Sequence, residues 1–199
     1  MRTERRDPFA DPNARDAAAR IGMGVFLIVV SILFVAAMLG YAVVRLDPSR
    51  VEPWRDTETP GLPHSLLLST GIILASSVML HRGLLRARRG ESHACARALV
   101  AAYWMGVLFV LLQGVAWWVL VRERVLITDN LYAWTFYVLT ALHAVHIIGG
   151  LIGLERTVAQ ARLGAYTPSR HNGIVLCAMY WHTLAAIWLV LYATLWVGS

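Results

Sequence analysis

None of the 12 acidic residues in this sequence falls within a long apolar run; all lie in the N-terminal tail or between runs. Pumps and ion-coupled transporters use buried ionisable groups to relay protons or hold cations, so this absence counts against both. Lysine is missing altogether, all 18 basic residues being arginine, which fits a GC-rich bacterial genome. The two cysteines, Cys95 and Cys177, are too widely spaced for a metal pair and too few for a disulfide framework. With 15% charged and 58% hydrophobic residues, the composition excludes a water-soluble surface. No internal repeat is visible, and five apolar runs do not halve into an inverted pair, which disfavours a repeat-built transporter.

The five runs lie at about 21–44, 63–80, 96–121, 131–154 and 174–197. Each supplies the about 20 apolar residues that a bilayer-crossing helix needs. The expected fold is therefore all-α: an integral membrane protein in which residues 21–199 form a single five-helix membrane domain behind a mobile tail over 1–20. The first run is too long, and its preceding tail too long and too acidic, for a signal peptide. Arginine fixes the expected orientation, because positive side chains resist translocation. Arg2, Arg5, Arg6, Arg15 and Arg20 precede the first run; Arg82, Arg86, Arg88, Arg89 and Arg97 separate the second from the third; Arg156, Arg162 and Arg170 separate the fourth from the fifth. The opposite side holds Arg45, Arg50, Arg55, Arg122 and Arg124. The N-terminus is thus expected inside and the C-terminus outside. Such clusters suit anionic lipid headgroups, and they explain the net charge of +6 more simply than nucleic-acid binding does. Trp117, Trp118, Trp134 and Trp196 fall at the expected outer boundary, where an indole keeps its ring in hydrocarbon and its N–H wet. Trp54, in the proline-rich segment DPSRVEPWRDTETPGLPH, is expected to dip into the same interface.

At membrane depth the polar residues are His143, His146, His182 and Gln113, with a few serines and threonines. Lipid offers these no partner, so protein must. His143 and His146 are i and i+3, on one helix face. His146 lies eight residues from Leu154 and His182 eight from Ile174, each about 12 Å in from the same side at 1.5 Å per residue. Their rings are expected to meet if the fourth and fifth helices are neighbours. The three histidines are candidate haem or metal ligands on one reading and hydrogen-bonded helix ties on the other. A buried haem wants ligands opposed across a gap, whereas His143 and His146 point the same way, which favours helix ties. Gly149 and Gly153 form a small-xxx-small pair that would admit a close helix contact. Tyr180 and Trp181 precede His182 and are compatible with ordinary core.

Taken together, ITDNLYAWTFYVLTALHAVHIIGG (127–150) and RHNGIVLCAMYWHTLAAIWLVLYATLWVGS (170–199) resemble subunit III of the haem–copper terminal oxidases, the cytochrome c and quinol oxidases. The residues that carry the likeness are Asp129, Tyr132, Thr135, Phe136, His143 and His146 in the first stretch. His171, Gly173, Tyr180, Trp181, His182 and Trp196 carry it in the second, and Gln113 adds a further match. Five helices are similar to the short bacterial form of the family. The resemblance implies a non-catalytic subunit without haem or copper of its own, which packs on subunit I in a complex with subunit II, holds phospholipid in a cleft, and sustains proton uptake and turnover stability. It also places the histidines among internal polar contacts.

The sequence departs from the family where acids are expected. Leu84, Leu85 and Arg86 occupy the vicinity of one, while Ala116, Val175 and Ala185 replace three others. These losses put a direct part in proton uptake in doubt. They keep open a subunit III-like protein associated with nitric oxide reductase, and a small b-type cytochrome remains a further alternative.

Overall fold

The computed structural model describes residues 11–46, 64–125, 127 and 131–198. The expected placements of residues 1–10, Trp54 and Asp129 lie outside these. Five α-helices follow one another: α1 (Pro12–Arg45), α2 (His64–Arg88), α3 (Ser92–Arg122), α4 (Leu131–Arg162) and α5 (Asn172–Gly198). All five are long and apolar enough to cross a membrane.

Most helices outrun their apolar stretches, because arginine and alanine favour helix as well as leucine does and water supports the overhang. α2 and α4 thus continue through arginine-bearing turns to Arg88 and Arg162. The largest difference from expectation is in α1, which starts at Pro12, inside the segment read as a mobile tail. Asp11 explains the early start: its side chain accepts a hydrogen bond from the Asn13 N–H at 3.0 Å, and Pro12 occupies the first turn, where its missing N–H is harmless. Ala17, Ala18 and Ala19 then propagate the helix. Gly90 between α2 and α3 (φ 76°) and Gly164 after α4 (φ 69°) adopt left-handed backbone, which lets the chain reverse within a few residues.

α2, α3, α4 and α5 close a ring in which each helix touches two neighbours, α2 meeting α5. α1 lies outside this ring, against α5 and the edge of α4. Only Leu27, Val30, Phe34 and Tyr41 of α1 are buried. Two polar clasps hold its ends: Arg20 Nε donates to Asn172 Oδ1 at 2.7 Å, and Arg45 Nη2 donates to the Val197 carbonyl at 2.7 Å. The second occupies one of the carbonyls that the end of α5 leaves without an intrahelical donor. Because starts meet starts and ends meet ends, α1 and α5 run parallel.

The core is built on Trp181, Trp188, Phe34, Phe109 and Phe136, all essentially inaccessible. Large apolar side chains also cover the outside, as expected of a surface whose solvent is hydrocarbon. Trp118, Trp134 and Trp196 are exposed, and the Arg122 guanidinium lies 4.2 Å from the Trp118 ring centre. Trp117 turns inward instead, donating to Thr140 Oγ1 at 3.0 Å.

Candidate functional site

A polar layer crosses the four-helix ring, and α2 supplies its acceptors. Ser69 Oγ gives its proton to the Leu66 carbonyl (2.9 Å) and accepts from Gln113 Nε2 of α3 (2.9 Å). Thr70 Oγ1 donates to the same carbonyl (2.7 Å) and accepts from the Trp188 indole of α5 (2.9 Å). One helical heptad further on, Ser76 Oγ donates to the Ala102 carbonyl of α3 (2.7 Å) and accepts from the Trp181 indole (3.1 Å). Ser77 Oγ pairs with His182 Nδ1. Ser69, Thr70 and Ser76 therefore each satisfy a backbone carbonyl and receive a side chain from another helix, as hydrocarbon surroundings demand.

His143 and His146 share Phe34 as a neighbour, whereas His182 faces another helix. His143 is fully buried, with Trp188 at 5.0 Å between ring centres and Phe34 and Phe109 each at 5.9 Å. Neither of its ring nitrogens has a hydrogen-bond partner among the described residues. His146 Nδ1 pairs with the Leu142 carbonyl of its own helix at 2.7 Å, and its ring packs on Phe34 at 5.1 Å. His182 turns to α2, where its ring lies 5.8 Å from that of His81. The expected meeting of His146 with His182 is thus corrected: α4 and α5 are neighbours, but the two rings leave their helices in different directions. Among the described residues, no group of three or more His, Cys, Asp or Glu is placed to hold a metal ion.

Close approach of α4 to α5 occurs at Gly150 rather than at the Gly149–Gly153 pair singled out in the sequence. A Cβ on Gly150 would lie 2.8 Å from the Tyr180 ring, whereas one on Gly149 would meet nothing nearer than the Tyr180 hydroxyl at 3.7 Å, and one on Gly153 would meet nothing within 4 Å. Tyr180 completes this contact by donating its hydroxyl to the His146 carbonyl at 2.9 Å. Gly149 and Gly153 instead line a groove of ≈ 430 Å³ between α1, α4 and α5, opposite Met23 and Phe26 of α1 and beside Gly173 and Cys177 of α5. Missing side chains on α4 leave the space. Tyr166, in the turn before α5, closes on Gly173: its hydroxyl would lie 2.9 Å from a Cβ there. Burial raises the Tyr166 phenol above its ordinary 10.0, opposed in part by a hydrogen bond with Thr157.

The family described as cytochrome c oxidase subunit III matches residues 12–199. The chain belongs to the cytochrome c oxidase subunit III family. Curated relatives include a probable cytochrome c oxidase subunit 3 of Nocardia farcinica, 30% identical over 127 residues, which covers 64% of this chain and 63% of that protein. One from Mycobacterium leprae is 29% identical over the same shares. The subunit 3 of Scyliorhinus canicula is 32% identical over 156 residues, covering 76% of this chain and 55% of that one. The chain thus spans less than two thirds of the length of these relatives.

In this chain, the positions where the resemblance expects acids are accommodated as apolar packing. Leu84, Ala116 and Ala185 are buried. Arg86 reaches across the turn to donate to the Ala94 carbonyl at 3.1 Å. The hydroxyls of α2, which organise the whole layer, were not singled out in the sequence. Their signal is the seven-residue interval from Ser69 and Thr70 to Ser76 and Ser77, which returns both pairs to one face of the helix.

Proposed function

We infer that this chain is a non-catalytic accessory subunit of a respiratory haem–copper oxidase, docked on subunit I in a complex with subunit II in a bacterial plasma membrane. Family membership over residues 12–199 carries this reading. The polar layer supports it, since Gln113, Tyr180, Trp181 and His182 contribute their side chains to ties between helices. Haem and copper then belong to the partner subunits, and this chain works through its surface and its lipids. The excess of arginines before and at the start of α1, and around the α2–α3 and α4–α5 turns with the helix ends that flank them, supports an inside N-terminus and an outside C-terminus.

The groove between α1, α4 and α5 is the lipid site on this reading. Its volume lies within the about 300–1,000 Å³ of small-molecule sites, and its walls are mostly apolar. Arg20 stands one turn before Met23 at the groove's end, its guanidinium anchored through Nε to Asn172 and its remaining N–H groups suited to a lipid phosphate. Apolar residues at 84, 116, 175 and 185 favour a role in turnover stability over one in delivering protons.

Purification of the full chain from its native membrane in mild detergent tests the reading. A haem–copper subunit is expected to co-purify and to account for all haem absorbance. A preparation without such a partner, or a Soret band from the isolated chain, would overturn it.

A further inference from the structure

We propose that the bundle core holds one ordered water molecule between His143 and Gln113, a binding site set by two buried side chains that each keep at least one polar atom nothing else in the layer satisfies. Gln113 is fixed first. Ser69 has one proton and gives it to the Leu66 carbonyl, so it can only accept from Gln113, which must present its amide N–H there. That orientation leaves Gln113 Oε1 as a buried acceptor without a partner among the described residues.

The helix register then brings Gln113 close to the level of His143. Phe109 of α3 packs on His143 of α4, and Trp117 of α3 donates to Thr140 of α4. Gln113 lies four residues from Phe109 and four from Trp117, one turn from each, so α3 carries it past α4 between Thr140 and His143. On the α5 side, Trp188 touches the His143 ring while donating to Thr70, the neighbour of Ser69.

The other donors of the layer are committed. Thr140 gives its proton to the Phe136 carbonyl, Thr70 to the Leu66 carbonyl, and Trp188 its N–H to Thr70. A neutral imidazole still offers one N–H and one lone pair, and both His143 nitrogens are buried and unpaired among the described residues. The aromatic rings around His143 present no acceptor stronger than a ring face. Water is the ligand class that fits: it accepts from the imidazole N–H and donates to the amide oxygen, meeting the two-partner minimum for an internal water. Hydrocarbon can do neither.

High-resolution electron cryomicroscopy of the full chain in its native complex or in lipid nanodiscs tests the site. A discrete density within about 3 Å of both Gln113 Oε1 and a His143 ring nitrogen is the expected result. Direct contact between the two side chains, or well-resolved side chains with no density between them, overturns the proposal. A double-substitution cycle gives a second reading that survives if one variant folds poorly. His143→Leu and Gln113→Leu should each lower the thermal midpoint, and the double variant should recover part of the summed loss, because it removes both groups the water serves. Strict additivity of the two losses overturns the shared site.

Discussion

Trp181 of α5 donates its indole N–H to Ser76 of α2 across 3.1 Å, and Ser76 hands its own proton to the Ala102 carbonyl of α3. Three helices are joined through one hydroxyl. The ring itself is fully buried, so packing and hydrogen bonding can be separated by substitution. Trp181→Phe keeps most of the packing and should cost about 1 kcal/mol, the scale of a hydrogen bond between membrane helices. Trp181→Ala also leaves a cavity and should cost about 3–5 kcal/mol. Equilibrium unfolding in mixed micelles checks the ratio; equal losses would mean that the bond, and not the ring, dominates.

Glycines on α4 and α3 should divide sharply when changed to alanine. A Cβ on Gly106 would lie 2.7 Å from the Trp181 ring and 2.9 Å from Leu151, and one on Gly150 would lie 2.8 Å from the Tyr180 ring. Overpacking there should cost about 1–3 kcal/mol. Gly153→Ala meets nothing within 4 Å and should stabilise by up to about 1 kcal/mol through helix propensity. Thermal midpoints of the three variants in one lipid mixture decide the matter.

Filling the groove should displace lipid without unfolding the chain. Gly153→Phe places a ring into the space opposite Met23 and Phe26. Native mass spectrometry of the complex is expected to show fewer retained phospholipids for this variant, and Arg20→Gln should lower retention of anionic lipid selectively. Unchanged retention in both would remove the groove as the site.

Stability should fall on the alkaline side through Tyr166. Its phenol titrates higher in the folded chain than in the unfolded one because burial disfavours the phenolate. The unfolded state therefore releases its proton first, from pH about 10 upward, and folding stability is full below that point and declines as pH rises through it. Tyr166→Phe should flatten the decline, read as the thermal midpoint from pH 8 to 11.

Much of this fold is written in the spacing of apolar runs. Five spans follow from hydrocarbon thickness, and arginine at their ends adds turns that an apolar count alone omits, as at Arg88 and Arg162. The pairing of helices could also be read: the short connection between α4 and α5 makes them neighbours. Direction around the axis could not, because it depends on which neighbours pack where, and His182 accordingly faces Ser77 rather than His146. The same limit explains the glycines. Gly149, Gly150 and Gly153 look alike in a sequence, and only the position of Tyr180 selects Gly150 as the contact. Serine and threonine on α2 escaped notice because a single hydroxyl in an apolar helix is common, and its significance lies in the tryptophans that come from α5 to meet it.

The clasps at the two ends of α1 bear on assembly. The ring of α2 to α5 shuts its polar layer with its own hydroxyls, while α1 adds Phe34 as an outer wall and two terminal bonds. α1 is therefore made well before its lasting neighbours, since both clasps await residues 172 and 197. A chain halted before α5 would carry α1 loose in the bilayer, open to quality-control proteolysis until α5 is made.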